Sequence, residues 1–386
     1  MEFKLIFACA LVYLFGYVCT SDYCLGRYEH CICNEQYVAC HNEDTLSNIM
    51  KFITNIQDNV TFINITGCKN LVELPPNTFG SCRGASDLIL HKLKSVDFSD
   101  NNIQIIHGKS FHCLPHLTFL NLSHNQWRVD LHPDQIGYFT SMPELQHLDL
   151  TNTFHEMWNG SYHIPKLADI FSLTDMTKLE SLYLGRNELF SFSESAANAF
   201  CELRALKLLD LSHNMLDKPS LPISPNCLEE LRKIDLSFNK INYLPVDFMS
   251  KMEHLKNLQK VRLDNNPYAC DCGLIETWDW ITTTNIPINK DEMLCASGYH
   301  SSYINKPIIH LKRSDLKCQP RKQPSNVAVK VVTGIIFGVI GLTLIAFMIV
   351  HRERVRLMCR RVQQRLPNVQ FRSHQGYASV QEVATI

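Results

Sequence analysis

LKLLDLSHNMLDKPSLPISPNCLEELRKIDLSFN, residues 206–239, states one nine-residue phrase twice: L-x-x-L-x-L-x-x-N at 206–214 and again at 231–239. The alternation turns the leucines to one face of a short extended segment, and an asparagine closes the phrase at a fixed offset. The phrase recurs as LKSVDFSDN at 93–101, LTFLNLSHN at 117–125, LESLYLGRN at 179–187 and LQKVRLDNN at 258–266. Looser copies stand at 60–68 (VTFINITGC) and 145–153 (LQHLDLTNT), with Cys68 and Thr153 in the asparagine position. One such strand cannot bury its own leucines, but stacked copies close a shared core. The reading is an α/β solenoid of about eight strand-and-return coils. Its asparagines are expected to satisfy backbone groups where the chain leaves the strand, since each left unpaired costs about 1–3 kcal/mol. A plain β-sandwich would share the alternation but not the fixed asparagine.

This leucine-rich repeat horseshoe occupies 59–266. Its closing residues are mostly 24 to 28 apart, but 33 apart from Cys68 to Asn101 and 34 from Thr153 to Asn187, the latter gap holding a polar insertion at 154–178. A solenoid exposes the apolar face of its end coils, so each end needs a cover. Beyond LDNNPYACDC (263–272), residues 267–319 hold Cys270, Cys272, Cys295 and Cys318, and Leu274, Trp280 and Ile281 suit one face of a short helix lying on the last leucines. Residues 21–58 hold Cys24, Cys31, Cys33 and Cys40. Covers this small are expected to be stapled by disulfides, with three pairings open in each. C-x-C without further ligands is poor zinc spacing, so no metal or cofactor is expected. Cys82 with Cys113, and Cys201 with Cys227, fall on return segments of neighbouring coils and could bridge them, leaving Cys68 as a buried thiol; alternatively these five are small buried apolar residues.

Residues 1–20, with Lys4 and the apolar run Leu5–Val18, read as a secretory signal peptide. After a juxtamembrane linker at 320–330, the apolar run Val331–Val350 reads as one transmembrane helix, since twenty residues make about 30 Å of helix. The tail, 351–386, carries seven arginines against Glu353 and Glu382, which places it in the cytoplasm and the N-terminal side outside, a single-pass type I plasma-membrane protein. A net charge of −1 is not that of a nucleic-acid binder. Gly334 and Gly338 form a small-xxx-small pair suited to a weak homodimer. Tyr377-Ala-Ser-Val380 has the Y-x-x-Φ form read by endocytic adaptors, and Cys359 is placed for palmitoylation.

Sequons at Asn59, Asn64, Asn121 and Asn159 all lie in the first half of the array, where Asn64 and Asn121 would carry glycans on the concave face. Ser95, Asp97, Ser99 and Asp100 are expected beside them. Later coils offer Tyr183, Arg186, Leu208, His213, Lys233, Phe238, Lys260 and Arg262, a basic and partly aromatic set suited to an acidic protein surface. No HExxH, G-x-S-x-G or phosphate loop is present, and the reading is of a binder, not an enzyme.

The N-terminal C-x6-C-x-C-x6-C, the coils, LDNNPYACDC…WDWI…C…LKC and the insertion inside LDLTNTFHEMWNGSYHIPKLADIFSLTDMTKLESLYLGRN resemble the trophoblast glycoprotein (Wnt-activated inhibitory factor) family of leucine-rich repeat membrane glycoproteins, from about Cys24 to the membrane. The resemblance implies pairs Cys24–Cys33, Cys31–Cys40, Cys270–Cys295 and Cys272–Cys318. It also implies inhibition or modulation of Wnt signalling at the plasma membrane through a Wnt co-receptor. A cell-adhesion or matrix-binding receptor is the alternative. At the end of the tail Ala384 stands where a PDZ ligand carries Ser or Thr, a departure from the family.

Overall fold

The computed structural model describes residues 30–43, 53, 56, 59–80, 90–112, 114–129, 138–140, 142–154, 170–171, 176–190, 200–219, 221, 227–318 and 326–365. They fall into two compact units, Met1–Gln319 and Pro320–Ile386.

The first unit is built on a ten-stranded sheet. Strand Cys31–Cys33 pairs antiparallel with Tyr37–His41, and each later strand then adds in parallel and in chain order: Phe62–Thr66, Ser95–Asp97, Phe119–Asn121, His147–Asp149, Ser181–Tyr183, Leu208–Asp210, Lys233–Asp235 and Lys260–Arg262. Equivalent positions of the phrase face one another, so Ile63, Val96, Leu120, Leu148, Leu182, Leu209, Ile234 and Val261 form one inward row, none more than 1% exposed. This is a leucine-rich repeat solenoid.

The chain leaves each strand by the same turn. The residue before the closing position has φ between 49° and 58° at Asp100, His124, Asn152, Arg186, His213, Phe238 and Asn265. This left-handed step brings the asparagine side chain back under the sheet. Asn214 Nδ2 donates to Leu184 O and Leu211 O at 3.0 and 2.9 Å, while its Oδ1 accepts from Asn187 N and Leu189 N at 2.9 and 3.1 Å. Each asparagine thus fastens its own coil to the one before it. Where Thr153 replaces it, Oγ1 supplies the donor to Leu122 O (2.9 Å), and the carbonyls of Asn152 and Thr153 accept from Asn125 N and Trp127 N. Cys68, in the same position, is buried and directs Sγ to Thr66 O at 3.6 Å.

Opposite the sheet, the return segments contribute a run of buried phenylalanines. Phe79 and Phe111 stack with centroids 6.0 Å apart, Phe111 and Phe139 at 6.1 Å, and Phe171 meets Phe200 at 5.9 Å. The leucine phrase alone does not announce them. Cys201 and Cys227 are joined across neighbouring return segments.

Both ends are stapled. In the N-terminal cover Cys31 lies directly opposite Cys40 in the antiparallel pair and is bonded to it. Cys33 is disulfide-bonded too, while Cys24 lies outside the described residues. In the C-terminal cover, Cys270 is bonded to Cys295 and Cys272 to Cys318, and strands Tyr268–Cys270 and Cys295–Gly298 pair in parallel. Helix Ile275–Thr283 buries Thr277 and Ile281, next to buried Leu274. Trp280, partly buried, packs against the same core, and its indole N–H donates to Glu253 Oε1 at 2.7 Å. Thr277 adds a polar tie to this face, its Oγ1 accepting Leu244 N at 2.8 Å.

The second unit consists of helices Asn326–Val350 and Arg352–Arg365. Among the described residues no helix is long and apolar enough to cross a membrane. The side chains described in the first helix are those of 334–347 and 349, a stretch shorter than a span. They are apolar all round and outward-facing, with Ile335, Phe337 and Leu342 each more than 60% exposed.

Candidate protein-binding face

Register sorts the variable residues of the later coils into three rows. Along one edge of the sheet face lie Leu208, Lys233 and Lys260, side by side on neighbouring strands, with both lysines exposed. Along the middle run Asp149, Tyr183, Asp210, Asp235 and Arg262. At the far edge, in the left-handed turns, stand Arg186, His213 and Phe238.

The middle row is acidic, in contrast to the basic residues of the later coils. Each aspartate is used by its own turn: Oδ1 of Asp149, Asp210 and Asp235 accepts the backbone N–H two residues on, at 2.8, 2.8 and 3.0 Å. Burial, then Asp149 and Asp210, push the Tyr183 hydroxyl pKa up, so it stays protonated.

Arg262, which the sequence offers to a partner, is also engaged within the chain. Its Nη1 pairs with Asp235 Oδ2 at 3.1 Å and its Nη2 with Asp264 Oδ2 at 3.0 Å, with the side chain 37% exposed. Asp264 is also held by Asn289 Nδ2 at 2.6 Å and Asn265 Nδ2 at 2.7 Å, and Asn289 Oδ1 accepts Leu263 N, which directly follows the strand Lys260–Arg262. The cluster therefore ties the final coil to its cover. Burial alone would raise the Asp264 carboxyl, but the hydrogen bonds from Arg262, Asn289 and Asn265 outweigh it and hold the pKa below the usual carboxylate range. A depressed folded pKa supplies stability above the unfolded value of about 3.9 and loses it as pH falls through the folded one. Melting followed from about pH 6 to pH 3 is expected to show an acid-side loss in the native chain that Asp264→Asn flattens. Parallel curves for the two would remove this role.

At the far edge, the His213 and Phe238 rings stack with centroids 4.1 Å apart and planes 6° from parallel. Burial, then Arg186, lower the His213 pKa, so the ring is neutral at pH 7. Arg186, Glu188, Met215 and Lys240 join this pair around a groove of about 430 Å³. Met215 and Lys240 were not singled out from sequence, because their approach to His213 and Phe238 depends on stacking of successive coils.

On the early coils, Asn64 and Asn121 lie on the middle row with Asp97 between them, all partly exposed. Asn59 is exposed and its Oδ1 accepts Lys92 Nζ at 2.7 Å. Ser95 and Asp100 reach the surface, but Ser99 is buried, because the residue after the second inward leucine already turns under the sheet. Asn159, Cys82, Cys113, Tyr377 and Val380 lie outside the described residues, as does most of the insertion at 154–178 and the segment 1–20.

A leucine-rich repeat family model matches residues 59–126. Trophoblast glycoprotein of Macaca fascicularis is 26% identical over 335 residues, which are 84% of this chain and 76% of that one. This chain is similar to trophoblast glycoprotein. Toll-like receptor 4 of Bos taurus is 28% identical over 275 residues, 68% of this chain but 29% of the receptor. Among solved structures, human 5T4 (Wnt-activated inhibitory factor 1, trophoblast glycoprotein) superposes with a TM-score of 0.61 at 24% identity, covering 75% of this chain and 98% of that one. The fold is shared between them.

Proposed function

We propose that this chain is a non-enzymatic, single-pass plasma-membrane glycoprotein, its solenoid of about eight coils outside the cell, which binds a protein partner and dampens Wnt signalling. The similarity to trophoblast glycoprotein over 84% of the chain carries this reading. The name Wnt-activated inhibitory factor 1, borne by the human protein of the same fold, supports its Wnt part. Val331–Val350 would span the bilayer, and Arg352 to Arg361 would rest on anionic lipid. Glycans at Asn64 and Asn121 would shield the early concave surface, so contact falls on the later coils: Tyr183, Leu208, Lys233 and Lys260 on the sheet face, with Arg186, His213 and Phe238 at its edge. Arg262, paired with Asp235 and Asp264, stays in that set.

A Wnt reporter read in cells displaying the full chain tests this. The full chain is expected to lower the reporter several-fold, and a chain cut after Arg361, which lacks Tyr377–Val380, to lower it less at equal surface density. An unchanged reporter in cells that aggregate with one another would instead make the chain an adhesion receptor.

A further inference from the structure

Phe238 stands where a phenylalanine has no local reason to be. Its backbone is left-handed, φ 55°, a conformation in which bulky side chains are uncommon. The seven equivalent positions carry Gly67, Asp100, His124, Asn152, Arg186, His213 and Asn265, a glycine and six polar residues. Nor does burial explain it, since Phe238 is 42% exposed. A strained, outward-facing aromatic fits a binding anchor better than a folding element.

Its surroundings specify what it would hold. One face of the ring is covered by His213, and Met215 supplies a soft apolar wall. Arg186 and Lys240 are exposed at the groove, and neither forms an ion pair among the described residues. Glu188 is the acidic residue of the lining. The neighbouring middle row, by contrast, is lined with Asp149, Asp210 and Asp235, which would repel an acidic partner laid across the sheet face.

We propose that the edge groove at His213 and Phe238 is the docking site for an extended segment of a partner protein that combines an apolar side chain with a carboxylate: the apolar group lies against Phe238, His213 and Met215, and the carboxylate meets Arg186 and Lys240. This rests on the protein-binding reading above and moves its energetic centre from the concave face to the rim. The groove's volume of about 430 Å³ admits one or two large side chains, not a folded domain.

The full chain in detergent, titrated with fluorescein-labelled Asp-Phe-Glu-Leu and, separately, Lys-Phe-Lys-Leu, tests the proposal by fluorescence polarisation. The acidic peptide is expected to bind at least tenfold more tightly than the basic one. Phe238→Asn, and the pair Arg186→Glu with Lys240→Glu, are each expected to weaken it at least tenfold, while Lys256→Glu with Lys317→Glu, both exposed and away from the groove, leaves it unchanged. Asparagine is at ease in the left-handed region, so Phe238→Asn should melt at or above the native temperature. The idea is overturned if Phe238→Asn retains peptide binding, if the basic peptide binds as well, if neither binds, or if Phe238→Asn melts several degrees lower. The reporter assay is separate: peptide binding without any Wnt effect would keep the groove and discard the Wnt reading.

Discussion

Asn214→Ala is expected to destabilise the solenoid by about 3–5 kcal/mol, the largest effect of any single polar substitution considered. The side chain is 4% exposed and makes five hydrogen bonds of 2.9 to 3.2 Å, three as donor and two as acceptor. Alanine would leave Leu184 O, Asn187 N and Leu189 N short of partners in the buried interior, while Leu211 O keeps Asn239 Nδ2 at 3.0 Å. A hydrogen bond normally exchanges one partner for another and nets about 1 kcal/mol, but orphaning a buried group incurs its desolvation in full. Because the bonds tie two coils together, the loss should spread along the stack, as nearest-neighbour coupling in repeat proteins requires. Denaturant unfolding of the native chain, of Asn214→Ala and of Asn102→Ala would check this. Asn102 makes an exposed 3.3 Å contact to Lys69 O and accepts Gln104 Nε2 at 3.2 Å, both near the surface, and its loss should fall within about 0.5 kcal/mol of native. Equal effects at the two positions would mean that the ladder is ornamental.

Removing the Cys270–Cys295 bond by a double alanine substitution should destabilise the C-terminal cover by about 3 kcal/mol. The cysteines are 25 residues apart, so the cross-link withholds substantial freedom from the unfolded chain. More follows from place than from loop length. This bond holds the two strands Tyr268–Cys270 and Cys295–Gly298 over the end of the core, where Val261, Leu263 and Tyr268 are fully buried. Once the cover lifts, that apolar surface meets water, and amide exchange should quicken across 260–318 before it does in the central coils. Breaking Cys201–Cys227, 26 residues apart, is a contrasting case: nearly the same loop entropy is released, but the joined segments remain packed between neighbouring coils. Their exchange should stay slow at ends and centre alike. Early exchange in the centre for both variants would show that the covers do not guard the stack.

Much of this architecture is legible in one dimension because its determinants are local or strictly periodic. Leucine alternation dictates which side of a strand is buried. The asparagine offset marks where the chain turns, and acceptors such as Asp210, two residues from the N–H they receive, need no information from elsewhere. Arg262 illustrates the opposite case. In the sequence it is one more basic residue at a variable position, equivalent to Tyr183 or Asp210. Its fate depends on Asp235, 27 residues away and brought alongside only by parallel register, and on Asp264, whose side chain is buried where the cover meets the last coil. Trp280 shows both: periodicity assigns it to the apolar face of a helix, where it packs against the core, but the acceptor of its indole N–H, Glu253 on another helix, depends on tertiary contact.

By itself the sequence determined the repeating coil, its inward leucines, its asparagine ladder and the existence of cysteine-rich covers, because those follow from side-chain alternation and backbone satisfaction over a few residues. Only the tertiary structure decided which side chains meet. Stacking brings residues about 25 positions apart within contact, so Arg262 pairs with Asp235 and Asp264, the middle of the face turns acidic, and Phe238 meets His213 beside Arg186 and Lys240.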